Sequence, residues 1–231
     1  MKRKKNKSKI YYISELNIPN KSAYSIHVMK MCEAFTKLGF ETYLFTIKSK
    51  NLSKIYKDYN ISYKFKIISI FNKFKKLNFL LRIIFSSKIL SKNLNKKSYF
   101  ISRSIVFALM ASTLNKNIIL ELHHEITGLS KLFYFLLKYL GLIKNIKFIF
   151  LHKKLKKIYR IASKQSIVLD DASDVDSFNQ INKKKIKNTC VYVGSFFEGK
   201  GIEQIFRLAN QTPKIFFHIY GEKNYLKHKN K

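Results

Sequence analysis

Short β-type runs alternate with longer stretches of helical period along nearly the whole chain, and this alternation limits the fold more than any other feature. Residues 10–14 (IYYIS) read as a buried strand, followed by a polar loop over 15–22 that contains Pro19. Over 23–38 the apolar residues Ile26, Met29, Ala34, Phe35 and Leu38 fall near helical spacing, and Gly39 stands where a left-handed C-cap would sit. Residues 41–46 (ETYLFT) read as the next strand, so strand, helix, glycine and strand make a βαβ unit. After a weaker region, with a strand expected at 63–70 and a helix around 77–94, the pattern resumes. Strands are expected at 99–102, 118–123, 147–151 and 166–169, with helices near 104–114, 129–140 and 153–162 between them. Repetition of this kind predicts an α/β fold: a mostly parallel sheet with helices on both faces.

The character of the chain changes at 170–187, where Asp170, Asp171, Asp174 and Asp176 precede a lysine run. Their spacing lacks the glycine and terminal glutamate of a calcium loop, so a solvated interdomain linker is expected and no metal site is assigned. A second βαβ follows, with a strand at 189–193, a loop at 194–201, a helix at 202–211 and a strand ending at Tyr220. The resulting division is 1–169, linker 170–187 and 188–231. Because a lone βαβ cannot bury both faces of its sheet, the second domain is expected to be cut off partway.

Of the 231 residues, 46 are Lys or Arg and 13 are Asp or Glu, a net charge of +33. Only Arg3, Arg82, Arg103, Arg160 and Arg207 are arginine. Nucleic-acid readers favour the planar, forked guanidinium, and no helix-turn-helix, RNA-recognition or zinc pattern is found. A basic nucleic-acid-binding protein is therefore the alternative, and no specific nucleic acid is expected. Part of the lysine excess also follows from A/T-rich codons, which lysine, isoleucine and asparagine share. Cys32 and Cys190 stand far apart and form no disulfide framework, so a reducing, cytoplasmic setting is expected. The most apolar stretch, 132–151, is interrupted by Lys138, Lys144 and Lys147, which disfavours a spanning helix and leaves one lying on a membrane. Lysines alternate with Phe and Leu over 71–82 and 131–138, which predicts peripheral attachment to the anionic inner face of the cytoplasmic membrane.

The string Val193-Gly194-Ser195-Phe196-Phe197-Glu198-Gly199-Lys200-Gly201-Ile202 ends a strand and opens a helix. Helix-start amides and a lysine would converge there on a phosphate group. It is not a Walker A loop, because no Ser or Thr follows Lys200. On local grounds a plain turn and a phosphate cradle both remain open. At the end of the 118–123 run, His123 and His124 sit where ligands bind in open α/β folds, although strand-end histidines are often merely satisfied or solvated.

The segment VYVGSFFEGKGIEQIFRLANQTPKIFFHIYG resembles the first βαβ of the nucleotide-sugar domain in family 4 glycosyltransferases, which have the two-Rossmann GT-B architecture. IYYISELNIPNKSAYSIHVMKMCEAFTKLGFETYLFT resembles that family's opening strand, acceptor/donor loop and first helix. IILELHHE resembles its E-x-H strand end, and FIFLHKKLKKIYRI with SIVLDDASDVDSF its exit into the linker. The resemblance implies a complete N-terminal Rossmann-like domain on the acceptor side and the first βαβ of a second one. It implies that Lys200, with Gly194, Ser195, Gly199 and Gly201, meets the donor diphosphate, and that His123, with His124 one residue out of register, reaches the reacting sugar. Ser22, Ala23 and Tyr24 stand where the family carries a glycine pair, and Ser195 where many members carry an arginine. The implied reaction is transfer from a nucleotide-sugar to a cell-envelope glycan or lipid-linked acceptor, with no metal or other cofactor required. The family's Glu-rich half of the donor domain has no counterpart up to residue 231. A truncated or split enzyme is thus expected, weakly active or inactive alone, or paired with a separate C-terminal half.

Overall fold

The computed structural model describes residues 8–71, 74, 77–92, 98–172, 186–194, 196 and 199–221. The chain divides into two compact units, Met1–Ala172 and Ser173–Lys231. In the first, seven strands form one parallel sheet in the order β5-β3-β1-β6-β7-β8-β9. These are β1 (Lys9–Ile13), β3 (Glu41–Thr46), β5 (Lys66–Ser69), β6 (Tyr99–Ser102), β7 (Asn117–Leu122), β8 (Ile146–Phe150) and β9 (Ser166–Val168). The order runs outward from β1 in both directions, the doubly wound Rossmann-like arrangement, with its switch point between β1 and β6. A two-residue parallel pair, β2 (Asn17–Ile18) with β4 (Lys48–Ser49), lies outside this sheet.

Strand alternation sorts the core into two layers. Tyr11 and Ile13 point to one face, where α3 (Phe79–Leu90), α4 (Ile105–Thr113), α5 (Leu129–Tyr139) and α6 (Lys153–Tyr159) bury Phe85, Phe107, Leu137 and Leu155. Ile10 and Tyr12 point to the other, against α1 (Ala23–Lys37) and α2 (Leu52–Asp58). Residues two apart share a face, so Leu120 and Leu122 join the first layer while Ile119 joins the second. The buried Glu121 follows the same alternation as Ile119 and turns toward α1.

Helix starts follow side-chain chemistry. The hydroxyls of Ser22 and Ser104, the Asn78 amide oxygen and Nδ1 of His152 accept from backbone amides in the first turns of α1, α4, α3 and α6. The buried residues of α1 are Ser25, Val28, Met29 and Cys32, whereas Ile26 and Leu38 face solvent. The apolar spacing therefore indicated the helix correctly but not its inward face: two polar residues occupy that face because their groups find partners there. Ser25 Oγ donates to the carbonyl of Ser22 at 2.8 Å, and His27 beside it reaches Glu121. The strand expected at 63–70 is limited to β5, α2 and β4 occupy a region whose sequence shows weak periodicity, and β2 lies within the stretch expected as a polar loop, 15–22.

The second unit holds β10 (Thr189–Val193), α7 (Ile202–Gln211) and β11 (Phe216–Tyr220), with β10 and β11 parallel from Thr189↔Phe216 to Val193↔Tyr220. Where the two strands end, the Gly194 amide donates to the Tyr220 carbonyl at 2.9 Å. A Cβ on Gly221 would lie 1.9 Å from the Gly194 carbonyl oxygen, so only glycine fits. The expected linker 170–187 falls largely outside the described residues.

Candidate functional site

All strands of the first sheet run the same way, so their C-terminal ends share one edge, and the most chemically loaded cluster lies there. Glu121, one residue from the end of β7, is buried, and both its oxygens are engaged. Tyr12 on β1 donates its hydroxyl to Oε2 at 2.5 Å. His27 on α1 and His123 just past β7 place their Nε2 atoms 2.8 and 3.1 Å from Oε1. The two imidazoles meet edge to face with centroids 5.0 Å apart. Burial alone would raise the Glu121 pKa, but hydrogen bonds from His123, His27 and Tyr12 outweigh it and hold the carboxyl well below the usual carboxylate range. An ionised carboxylate only accepts, so both histidines present Nε2–H to it. Nδ1 of His123, whose side chain is 10% exposed, takes no part in that contact.

The ligating atoms of His27, Glu121 and His123 lie within 4.8 Å of one another, close enough to hold a metal ion. The two N···O separations are already those of direct hydrogen bonds. A cation here would have to displace both ring protons.

Beside this cluster, at the switch point, the loop after β1 meets the loop after β6. Ser104 Oγ donates to Glu15 Oε1 at 2.5 Å, and Arg82 Nε pairs with Glu15 Oε2 at 3.2 Å. The Arg103 guanidinium lies 4.0 Å from the centre of the Tyr24 ring. Burial is the main reason that the Tyr24 pKa is pushed up to about 12. Of the expected loop residues, Ser22 caps α1 and is exposed, as is Ala23, while Tyr24 is half-buried under Arg103.

The structure thus brings His123 together with two residues that the sequence reading did not single out, Tyr12 and His27. His124 is exposed and takes no part in the cluster's hydrogen bonds. A signal was present: a glutamate inside the apolar run 118–122 must be paired if that run is a buried strand. Its partners come from elements far away in sequence, and no local spacing names them.

In the second unit, Gly199 and Gly201 both adopt positive φ, +82° and +76°, and Gly201 caps α7. Gly199, Gly201, Glu203, Gln204 and Arg207 line a shallow hollow of about 340 Å³ at the start of that helix. Lys200 is exposed between the two glycines. Gly194 closes the end of β10, and Ser195 lies outside the described residues.

No family model and no curated protein matches this chain. Solved structures do. A glycosyltransferase from Rickettsia africae aligns with a TM-score of 0.59 at 13% identity, over 96% of this chain and 70% of that one. HepE of Anabaena, solved with UDP and glucose, aligns with a TM-score of 0.62 at 10% identity, over 96% and 65%. The lipopolysaccharide outer core galactosyltransferase WaaB aligns at 0.57 and 15%, over 95% and 62%. The chain shares the fold of glycosyltransferases. It spans 62 to 70% of the length of these three proteins.

Proposed function

We propose that this chain serves glycosyl transfer from a nucleotide-sugar donor. The observation that carries the reading is the Glu121–His123 strand end at the C-terminal edge of a doubly wound sheet, in a chain whose fold is that of glycosyltransferases. In this reading His123 is the group that meets the sugar. Its ring is held by Glu121, which is held in turn by Tyr12 and His27, so Nδ1 is offered to a sugar hydroxyl in a fixed orientation. Lys200 and the amides that open α7 take the diphosphate, with Gly194, Gly199 and Gly201 allowing close backbone approach; Ser195 belongs to the same motif. As the sugar–phosphate bond breaks, negative charge grows on the leaving diphosphate, and a lysine with a helix N-terminus stabilises it without a metal. Ser22, Ala23 and Tyr24 border the acceptor path, and His124 lies at its rim. The acceptor is a cell-envelope glycan or lipid-linked precursor, met at the inner face of the cytoplasmic membrane.

Calorimetric titration with UDP and other nucleoside diphosphates tests the donor half. Binding is expected, weakened about tenfold by Lys200→Ala, the loss of one charge-assisted contact. His123→Ala is expected to leave nucleotide affinity intact while lowering donor-sugar hydrolysis or transfer. Failure to bind any nucleoside diphosphate or its sugar conjugate would overturn the donor assignment.

A further inference from the structure

The helices on one side of the first sheet have a composition that the opposite side lacks. No aspartate or glutamate occurs between residues 59 and 120 or between 126 and 169. Those stretches contain α3, α4, α5 and α6, so that whole layer is free of acidic side chains while carrying Lys88, Lys131, Lys138 and the lysines of α6; Arg82 of α3 is paired with Glu15 of the loop after β1. On the opposite side, α1 and α2 carry Glu33 and Asp58. The positive charge of the α3–α6 layer has no internal counter-charge.

Within this layer α5 is apolar on two sides. Phe133, Tyr134 and Leu137 pack inward, with Phe79 of α3 meeting Phe133 at a centroid distance of 5.2 Å. Outward, Leu129, Leu132 and Phe135 are 66%, 54% and 61% exposed, and Tyr139 and Leu140 continue the stripe. The Phe135 and Tyr139 rings, one turn apart on this side, stack with centroids 6.2 Å apart. Lys131 and Lys138, seven residues apart and both exposed, lie along nearly one line beside it. Leu140 also lines an open groove of about 550 Å³ with Leu90, Leu109, Met110 and Leu114, which extends the apolar area toward α3 and α4. A contiguous apolar patch of this kind on a soluble surface marks something that covers it. Of the two segments in which the sequence alternates lysine with apolar residues, 131–138 forms this face; in 71–82 Phe71 is buried, while Phe74, Phe79 and Leu80 are 41%, 40% and 63% exposed.

We infer that the α5 face, with its adjoining groove, is a docking surface for an anionic lipid bilayer. The charge pattern chooses this occupant. A second copy of the chain would bring lysine lines together with no carboxylate in either layer to pair with them. A nucleic acid would suit the lysines but leave Leu129, Leu132 and Phe135 against water. A bilayer of anionic lipid meets both halves: headgroups take Lys131 and Lys138, and the aliphatic and aromatic side chains enter the interface with the helix lying flat. No described helix is long and apolar enough to cross a membrane. This surface deepens the membrane part of the proposed function and is independent of its transfer chemistry, so nucleotide binding and lipid binding can fail separately.

The chain has no tryptophan, so Phe135→Trp places a single reporter on the face. With vesicles of phosphatidylglycerol and phosphatidylcholine, its emission should shift to the blue and the protein should sediment with the lipid; with phosphatidylcholine alone neither should occur. Leu129→Ser combined with Leu132→Ser, and separately Lys131→Glu combined with Lys138→Glu, should each lower partitioning at least about tenfold. Circular dichroism checks that these surface variants keep the fold. Three results would each overturn the inference. One is binding to anionic vesicles with an unshifted reporter. Another is binding that the Leu→Ser pair leaves unchanged. The third is a blue shift that grows with protein concentration in the absence of lipid, which would mean that copies of the chain cover the face.

Discussion

Glu121 is held by donors from three separate parts of the chain: β1, α1 and the end of its own strand. Its folded-state pKa lies below the ordinary carboxylate value of 4.5. The stabilisation it brings is therefore fully present above that ordinary value and is lost as pH falls through the depressed one. Glu121→Gln should lower stability at neutral pH by about 2–4 kcal/mol, since it replaces an ionised acceptor that three donors surround. In urea titrations the gap between wild type and variant should narrow toward acid; a gap independent of pH would refute the ionised-acceptor account. The two cysteines divide just as plainly. Burial pushes the Cys32 thiol up and hides it, while Cys190 is exposed. A disulfide reagent should label Cys190 at once and Cys32 only on unfolding. At this scale the sequence was legible for His123, whose strand-end position follows from the run before it. It was silent about His27, since nothing in the first helix's spacing distinguishes a histidine that reaches another element from one facing solvent.

Among the elements, those with strong period and explicit terminators were readable from sequence. The strand β3 matches its expected span, 41–46, and α1, opened by Ser22 and followed by Gly39 at φ +92°, ends one residue short of the expected 23–38. Ser22→Ala should cost about 1 kcal/mol by removing the cap on α1, and a thermal melt would show it. Elements with neither mark were missed: α2 begins at Asn51 in a left-handed conformation with no side-chain cap, and β2 and β4 are two residues each. In the second unit the constraint is steric. Gly221→Ala sets a methyl group 1.9 Å from the Gly194 carbonyl oxygen, so the ends of β10 and β11 must separate or shift. Such overpacking costs about 1–3 kcal/mol. Amide exchange at Gly194, whose hydrogen bond to Tyr220 depends on that approach, should quicken in this variant; unchanged protection there would show that the strand ends adapt freely.

For the molecule as a whole, the alternation of strands and helices specified a parallel α/β sheet, and the seven-strand order follows the outward winding that such alternation allows. The pairing of faces was harder to read, because which helix covers which side depends on crossovers between distant strands. Net charge acts at this scale too. With +33, the chain should bind heparin and unrelated duplexes alike, with an affinity that falls steeply as salt rises. A marked preference for one nucleic-acid sequence in competition binding would contradict this and favour a nucleic-acid reader. The confinement of carboxylates away from the α3–α6 side has an effect before any contact is made. Within the first unit, lysines without counterparts on one flank favour approach to a negatively charged plane by that flank, which is the one that carries the oily helix.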